Sequence, residues 1–456
     1  MEPFRHHVYV CDQRKPDGMP CCSARGSLGV IDALRRELGG RGLVDTVQVT
    51  TSGSLGLCQR GPNMVVYPDG IWYSGVTLAD VPEIVSEHFV NGHPVERLVN
   101  RDPVALKAEI TDSRNQMLAA LKARDEAGVV PDELMGIARA FQDSRILLSA
   151  VELDVFTIVA RAEPAASAAA IARAMSTDPR ASEALLNALV ALGLLTKTDG
   201  AFFDTPVAKR FLVAGSKDDA SMALRHSLSL WPRGSTLTEV VRTGRPVAST
   251  EMAGLGQDWT KPFIAAMHRN AALRAPLVVR AVGAAEVKRL LDVGGGSAAY
   301  SIAFAQANPD LSAEVFDLQS VLPLAEQNIA TAGLSGRVRL RAGDLRRDEF
   351  GQGYDLVLLS AICHMLDPAE NKDLLARVQR SLVSGGRVVI QDHVMKPDKT
   401  APRAGALFAI NMLVGTPGGS TYSEAEYAAW LEQAGFKEVN RVSLAGPNDL
   451  MIGRRP

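Results

Sequence analysis

The sequence predicts an α/β protein whose C-terminal part is a doubly wound parallel sheet, preceded by a helical segment and a small α/β unit. Three observations predict it. From about Lys288 five apolar, branched runs alternate with helical stretches: RLLDVGGG, AEVFDL, RVRLRAGD, YDLVLLS and GRVVIQDHV. Such near-continuous apolar runs suit strands buried on both faces. From Pro131 the texture is Ala and Leu at helical spacing, and Cys11, Cys21, Cys22 and Cys58 crowd the first sixty residues, with only Cys363 elsewhere.

Taken in order, HVYVC reads as a strand, LGVIDALRREL as a helix and VDTVQVTTSG as a second strand. MVVYPDGIWYSG reads as a hairpin turned at Asp69-Gly70, and Asp80 to Phe89 as a closing helix, giving a first domain over residues 1–98. Residues 99–130 are polar and helical in pattern without a wide apolar stripe, a helical linker. Over 131–250, helix, turn, helix and the short pair around TKTDGAFFDTP make a winged-helix pattern. Its second helix, RASEALLNALVALGLL, carries little positive charge, which favours a protein-facing role over DNA. Residues 251–456 hold the doubly wound sheet.

Composition narrows the function classes. At 456 residues the chain is long enough for several domains. Lys plus Arg number 49 against 51 for Asp plus Glu, so a net charge of −2 offers no field to draw nucleic acid or an anionic membrane. No run approaches the roughly 18 apolar residues of a membrane span. The opening MEPFRHHVYVCDQRKPDG has no long apolar run, so a secretory leader is not expected and the expected location is the reducing cytoplasm.

The most informative stretch is LLDVGGGSAAYSIAFA, a strand running into Gly294, Gly295 and Gly296 and then a helix. Glycines allow a tight turn and close approach to a ligand. The acids around it choose the ligand. Asp317 ends the second strand, where it suits ribose hydroxyls, and Asp344 ends the third, where it suits an adenine amino group. Asp292, ahead of the glycines, would face an ammonium group. A cationic sulfonium cofactor fits acid-lined loops better than a pyrophosphate does.

These residues, with AGDL, LLSAICHMLDPAENKDLL and GTPGGSTYSEAEYAAWLEQAGF, resemble the class I S-adenosylmethionine-dependent O-methyltransferases that carry a winged-helix dimerisation domain. That family includes caffeate, acetylserotonin and hydroxyneurosporene methyltransferases. The resemblance covers about residues 131–455 and implies a Rossmann-like seven-stranded sheet with the last strand reversed, VNRVSL and DLMIGRR closing it. It implies a homodimer through the winged helix, an S-adenosyl-L-methionine site that also takes in Leu318, Gly343, Leu345 and Ser360, and a small hydroxylated aromatic or polyene acceptor. It places the catalytic base at His364, oriented by Asp392, and acceptor contacts at Phe263, Met267, Asn411 and Met412. A hydroxyl acceptor must lose a proton, and a His near its free pKa is a natural base. The chain departs from many plant members in reading HMLDPAEN after the His. His393 follows Asp392 directly, and strand alternation sends it to the other face.

Residues 6 to 98 resemble a second family, the thioredoxin-like 2Fe–2S ferredoxins, on VCDQRKPDGMPCCSARGS and SGSLGLCQRGPNMVVYPDGIWYSGV. The resemblance implies a 2Fe–2S cluster held by Cys11, Cys22 and Cys58, but Ser54 stands where the family has its third cysteine. Either Ser54 or Cys21 completes the cage, or the domain keeps the fold without metal; a zinc site is a further option. The leading functional reading is thus an O-methyltransferase. The alternatives are a non-catalytic cofactor-binding sensor or scaffold with a redox module, and a winged-helix regulator.

Overall fold

The computed structural model describes residues 3–15, 20–128, 130–162, 166–247 and 257–456. The chain divides into two compact units, Met1–Ala140 and Phe141–Pro456. A boundary at 250/251 lies outside the described residues.

In the first unit, β1 (His6–Cys11), α1 (Ser27–Gly40) and β2 (Val47–Ser52) form a β–α–β crossover with β1 and β2 parallel. The hairpin β3 (Asn63–Tyr67) and β4 (Ile71–Ser74) turns at Asp69-Gly70, and β3 runs antiparallel to β1. The four strands lie in the order β2-β1-β3-β4. Val8 and Val10 of β1 alternate into a core with Ile31 and Leu34 of α1, Tyr73 and Phe89. The closing helix starts as α2 (Val81–Glu83) and widens into a π-helical Ile84–Val90. α3 (Pro103–Glu126) occupies the stretch read as a linker, yet its early turns are docked. Glu109 accepts two hydrogen bonds from Arg60, at 3.1 and 2.6 Å. Ile110 lies so close to Gly56 that any Cβ there would come within 2.8 Å of it. Ile110 and the buried Leu106, one helical turn apart, with the Arg60–Glu109 pair, seat a helix too polar to show a wide apolar stripe.

α4 (Asp132–Glu152) and α5 (Val155–Arg161) lead into the winged-helix part. There β5 (Ala166–Ser167), α6 (Ala168–Met175), α7 (Pro179–Ala191), β6 (Leu195–Thr198) and β7 (Ala201–Asp204) follow, with strand order β5-β7-β6. Ser167 and Asp178 cap α6 and α7, accepting from backbone N–H groups of Ala170 and Ala181. Phe156, Ile171, Leu186, Leu189 and Phe202 make its core. α8 (Pro206–Phe211), α9 (Ser221–Gly234), α10 (Leu237–Thr243) and α11 (Gln257–Val282) connect it to the sheet domain.

That domain runs β8 (Arg289–Val293), α12 (Ala299–Ala307), β9 (Ser312–Asp317), α13 (Leu322–Thr331), β10 (Val338–Ala342), β11 (Tyr354–Ser360), α14 (Pro368–Ser381) and β12 (Leu382–Asp392). After β13 (Val394–Met395), α15 (Arg403–Gly415), β14 (Tyr422–Ser423) and α16 (Glu424–Gln433), it closes with β15 (Lys437–Val442) and β16 (Asp449–Arg454). The seven strands lie in the order β10-β9-β8-β11-β12-β16-β15, with β16 antiparallel to both neighbours. The expected reversed strand is present. Along β11, Val357 and Leu359 enter one core while Leu356 and Leu358 enter the other, as a strand covered on both faces requires. Strand order reverses between β8 and β11, which opens a crevice beyond their carboxyl ends, where ligands bind in doubly wound sheets. Among the described residues no helix is long and apolar enough to cross a membrane.

Candidate active site

The glycine loop leaves β8 with Gly294 at φ +68° and Gly296 at φ +56°. A Cβ on Gly295 would come within 2.8 Å of the Asp292 carboxyl carbon and 2.9 Å of Val315, so only glycine lets the loop settle over that acid. Asp292 is 1 % exposed. Its Oδ2 accepts from Ser301 Oγ at 2.8 Å, while Oδ1 is buried without a hydrogen-bond partner. Burial pushes its carboxyl up to about 7, and the nearby Asp317 adds to the shift against the Ser301 hydrogen bonds.

Asp317 ends β9, its Oδ2 accepting from the Gly296 N–H at 2.8 Å and its Oδ1 from the Leu318 N–H at 2.7 Å. Burial raises its pKa too. The loop and the acid beside it therefore hold one another in place, each carboxylate oxygen keeping a second lone pair. Gly343 follows β10, and a Cβ there would meet the Phe316 ring at 2.2 Å. Asp344 is turned into its own loop, its Oδ1 accepting from the Arg346 N–H at 2.9 Å and its Oδ2 lying 3.4 Å from Arg347 Nε. Leu345 reaches toward Gly294. Ser360 ends β11 and donates to Gln391 Oε1 at 2.7 Å.

Across the crevice, His364 sits on a short 3-10 turn, Cys363–Met365, after β11, and Asp392 is the last residue of β12. His364 Nδ1 lies 2.8 Å from Asp392 Oδ1 and 3.0 Å from Oδ2. The His364 N–H donates to Oδ2 at 3.1 Å and the His393 N–H to Oδ1 at 2.8 Å. Asp392 is 0 % exposed, so these donors replace its lost hydration. With Nδ1–H held by the carboxylate, the other ring nitrogen, Nε2, is the lone-pair acceptor. Phe408 of α15 stands edge-on to the His364 ring, centroids 4.8 Å apart, and also packs against His393 at 4.8 Å. His393 Nδ1 itself turns to the Pro447 carbonyl, 3.0 Å away.

Of the expected acceptor contacts, Met267 and Met412 are partly buried and Asn411 is exposed, while the side chain of Phe263 lies outside the described residues. Phe408 was not foreseen, although Phe408, Asn411 and Met412 share one face of α15 at i, i+3 and i+4, a signal available in the sequence. Nor was His268, one residue beyond Met267, whose Nδ1 lies 2.9 Å from Ser297 Oγ beside the glycine loop. Tyr300, on α12, is tied to Ser360 and Gln391 between the two halves of the site.

In the first unit the cysteines and Ser54 fall into two pairs. Cys22 donates to Cys11, and that hydrogen bond lowers the Cys11 thiol to about 6 while Cys22 is raised. Cys22 also accepts from Asn63 Nδ2 at 3.3 Å. Ser54 Oγ and Cys58 Sγ lie 3.4 Å apart. Cys21 instead accepts the Ala24 N–H at 3.4 Å, capping a turn. A Cβ on Gly61 would come within 2.6 Å of Cys22 Sγ, so the pair is closed over by a residue that must be small. No three cysteines among the described residues bring their sulfurs within 4.8 Å of one another, which speaks against a single zinc ion there.

Two families match the second unit: an O-methyltransferase dimerisation domain over residues 135–214 and an O-methyltransferase domain over residues 242–437. The chain is 36 % identical over 326 residues to a 3-hydroxy-5-methyl-1-naphthoate 3-O-methyltransferase of Streptomyces sahachiroi, covering 70 % of this chain and 92 % of that protein. It is 30 % identical over 350 residues to an L-tyrosine C(3)-methyltransferase of Streptomyces lavendulae, covering 72 % and 94 %. Among solved structures it superposes on an O-methyltransferase, NcsB1, from neocarzinostatin biosynthesis in complex with S-adenosylmethionine and 2-hydroxy-5-methyl naphthoic acid. The TM-score is 0.60, the identity 25 %, and the match covers 69 % of this chain and 96 % of that one. A non-catalytic sensor and a DNA-binding regulator are set aside by these relationships. The chain belongs to the S-adenosylmethionine-dependent O-methyltransferases with a dimerisation domain and is a methyl-transferring enzyme.

Proposed function

We propose that the enzyme methylates a ring hydroxyl of a small aromatic acceptor, with His364 as general base and Asp392 as the group that orients it. The observation that carries this reading is the 2.8 Å contact between His364 Nδ1 and the fully buried Asp392 carboxylate. S-adenosylmethionine, when bound, supplies a methyl group on a positively charged sulfur, open to in-line attack. The residues around the glycine loop fit that group: the buried, unpartnered Asp292 Oδ1 is the kind of atom a cationic amino-acid tail would satisfy. Asp317 with Leu318, and Asp344 with Gly343 and Leu345, would serve ribose and adenine, and Gly294, Gly295, Gly296 and Ser360 would line the loop side. His364 Nε2 takes the hydroxyl proton as the ring oxygen gains its methyl, and Asp392 stabilises the imidazolium so formed. Met267, Phe408, Asn411 and Met412 would wall the acceptor.

The naphthoate relatives favour a fused-ring hydroxy acceptor over a polyene. The tyrosine C-methyltransferase relative supports a second reading, methylation at ring carbon, which the structure of the labelled product separates from the first. The test is incubation with methyl-labelled cofactor and hydroxynaphthoates. The expected product is a methyl ether, lost in His364→Ala; turnover that survives this change rejects His364 as base.

A homodimer through residues 131–250 is supported by the dimerisation-domain match and by Leu134, Ile137 and Phe141 exposed along α4. A thioredoxin-like fold for residues 1–98 is supported by the β2-β1-β3-β4 order with its parallel first pair. The pairs Cys11–Cys22 and Ser54–Cys58 fit a 2Fe–2S cluster, which takes two protein ligands per iron, and the low Cys11 thiol supplies a ready thiolate. Cys21 has no place in this set. Free, buried cysteines agree with a reducing cytoplasm. Iron content and visible absorption of anaerobically purified protein test the cluster.

A further inference from the structure

At the opposite end of β1 from Cys11, three residues distant in sequence converge. Asp69 Oδ2 lies 3.0 Å from His6 Nδ1 and 3.1 Å from His88 Nε2. All three donor atoms fall within 4.8 Å of one another, and no other group of three His, Cys, Asp or Glu does so among the described residues. His6 opens β1, Asp69 sits in the β3–β4 turn, and His88 lies in the π-helical segment after α2, so three separate elements bring one donor each.

We propose that His6, Asp69 and His88 form a binding site for a divalent transition-metal ion of the zinc class, with two imidazoles and one carboxylate as ligands. Ligands about 2.0–2.1 Å from one ion stand roughly 3–3.4 Å apart, and each imidazole nitrogen stands 3.0 or 3.1 Å from the Asp69 oxygen. The imidazole–carboxylate set suits zinc or iron(II) better than calcium or magnesium. The surroundings hold the ligands as metal sites do. His88 Nδ1 lies 3.0 Å from Tyr73 Oη, which accepts the Val95 N–H at 3.0 Å, so the ring's outer nitrogen is fixed and its inner one is aimed at Asp69. Phe89 stacks on His88 with centroids 5.3 Å apart. His6 Nε2 is buried without a hydrogen-bond partner, and its ring is held by the Nδ1 contact and by packing on Phe89, centroids 5.5 Å apart. The two His side chains are 6 % and 2 % exposed, whereas Asp69 is 36 % exposed, which leaves an approach for the ion and positions for water. Five residues along β1 separate His6 from Cys11, about 17 Å, so this site is distinct from the cysteine pairs.

The test is titration of the full-length protein, freed of metal, with cobalt(II) and zinc(II). The difference spectrum between wild type and Asp69→Asn is expected to show one equivalent of cobalt(II) bound without thiolate charge-transfer absorption. Zinc should displace that cobalt, and Tyr73→Phe, which keeps all three ligands, should weaken binding about 10–100-fold. His88→Gln should lose it at least as severely. Because Asp69 lies in an exposed turn, its variant is expected to fold, and Tyr73→Phe supplies a second comparison that keeps all three ligands while removing the hydroxyl beside His88 Nδ1 and the Val95 N–H. Equal stoichiometry and affinity in wild type and Asp69→Asn, or thiolate absorption in the difference spectrum, would leave a hydrogen-bonded His–Asp–His network and overturn the site.

Discussion

Two histidine–aspartate arrangements in this chain both bury their imidazoles and differ in where the carboxylate sits. At the crevice of the methyltransferase sheet the carboxylate of Asp392 is sealed and held by donors, and the His364 imidazole against it is buried as well, its side chain 9 % exposed. In the first unit the imidazoles of His6 and His88 are sealed, and the Asp69 carboxylate faces solvent. Whether the carboxylate is buried separates what the two can do. A sealed carboxylate fixes one tautomer and leaves a single ring nitrogen for proton transfer. Two sealed imidazoles directed at one oxygen of an exposed carboxylate bring three ligand atoms together, the arrangement proposed above for an ion. Asp292 and Asp204 extend the comparison, because they are buried carboxylates without any imidazole. Both oxygens of Asp204 lack partners, and burial pushes its carboxyl up to about 7 against the charge of Lys209.

The largest expected effect breaks the first arrangement. His364→Ala should lower turnover about 10²–10⁴-fold and leave cofactor affinity nearly unchanged, read from steady-state kinetics beside calorimetry. If Asp392 acts only through that ring, His364→Ala combined with Asp392→Asn will turn over no more slowly than His364→Ala alone. A clear further loss would give Asp392 a role of its own. Asp317→Ala should weaken S-adenosylmethionine binding by about 1.5–3 kcal/mol, the range for hydrogen bonds to a charged group, and unchanged affinity would remove Asp317 from the cofactor site.

Asp204→Asn probes a carboxylate left without an imidazole. Its folded pKa lies above the unfolded one, so its stabilising contribution is complete below about pH 4 and is lost as pH rises toward 7. The asparagine variant should therefore melt like wild type near pH 4 and be the more stable by about 1–3 kcal/mol at pH 8. A constant difference across that range would show that Asp204 does not titrate in it. The smallest effect is expected at Phe408→Leu, about 0.5–1.5 kcal/mol for a lost edge-on ring contact, seen as a modest fall in kcat/KM.

Much of the sheet domain was legible because its signals are local. Each β-strand of the doubly wound part is a short apolar run, and the glycine loop, Asp317, Asp344 and His364 all follow strand ends that such runs reveal. The winged helix showed in the order of helix, turn, helix and hairpin, whereas the reversed β16 came through family resemblance, since nothing in DLMIGRR itself states a direction. Phe408 escaped because a phenylalanine on an amphipathic helix looks like any core residue until the helix is placed over His364. The His6–Asp69–His88 cluster was invisible for a stronger reason: its members lie 63 and 19 residues apart in its two contacts, and only the folding of the hairpin onto β1 and the π-helical turn joins them. The docking of α3 was missed because it depends on few contacts at its start, Leu106, Ile110 against Gly56 and Glu109 with Arg60, too short a stripe to stand out along a 24-residue helix.

The half-satisfied Asp292 beneath the glycine loop carries a thermodynamic consequence. A carboxyl that titrates near 7 in the empty protein gives up its proton once a cationic group lies against it, so cofactor uptake and proton release become one linked equilibrium. Affinity should then climb as the medium becomes more alkaline through neutrality. The heat of binding should also vary with the ionisation enthalpy of the buffer, which would make the acid under the loop a gauge of occupancy.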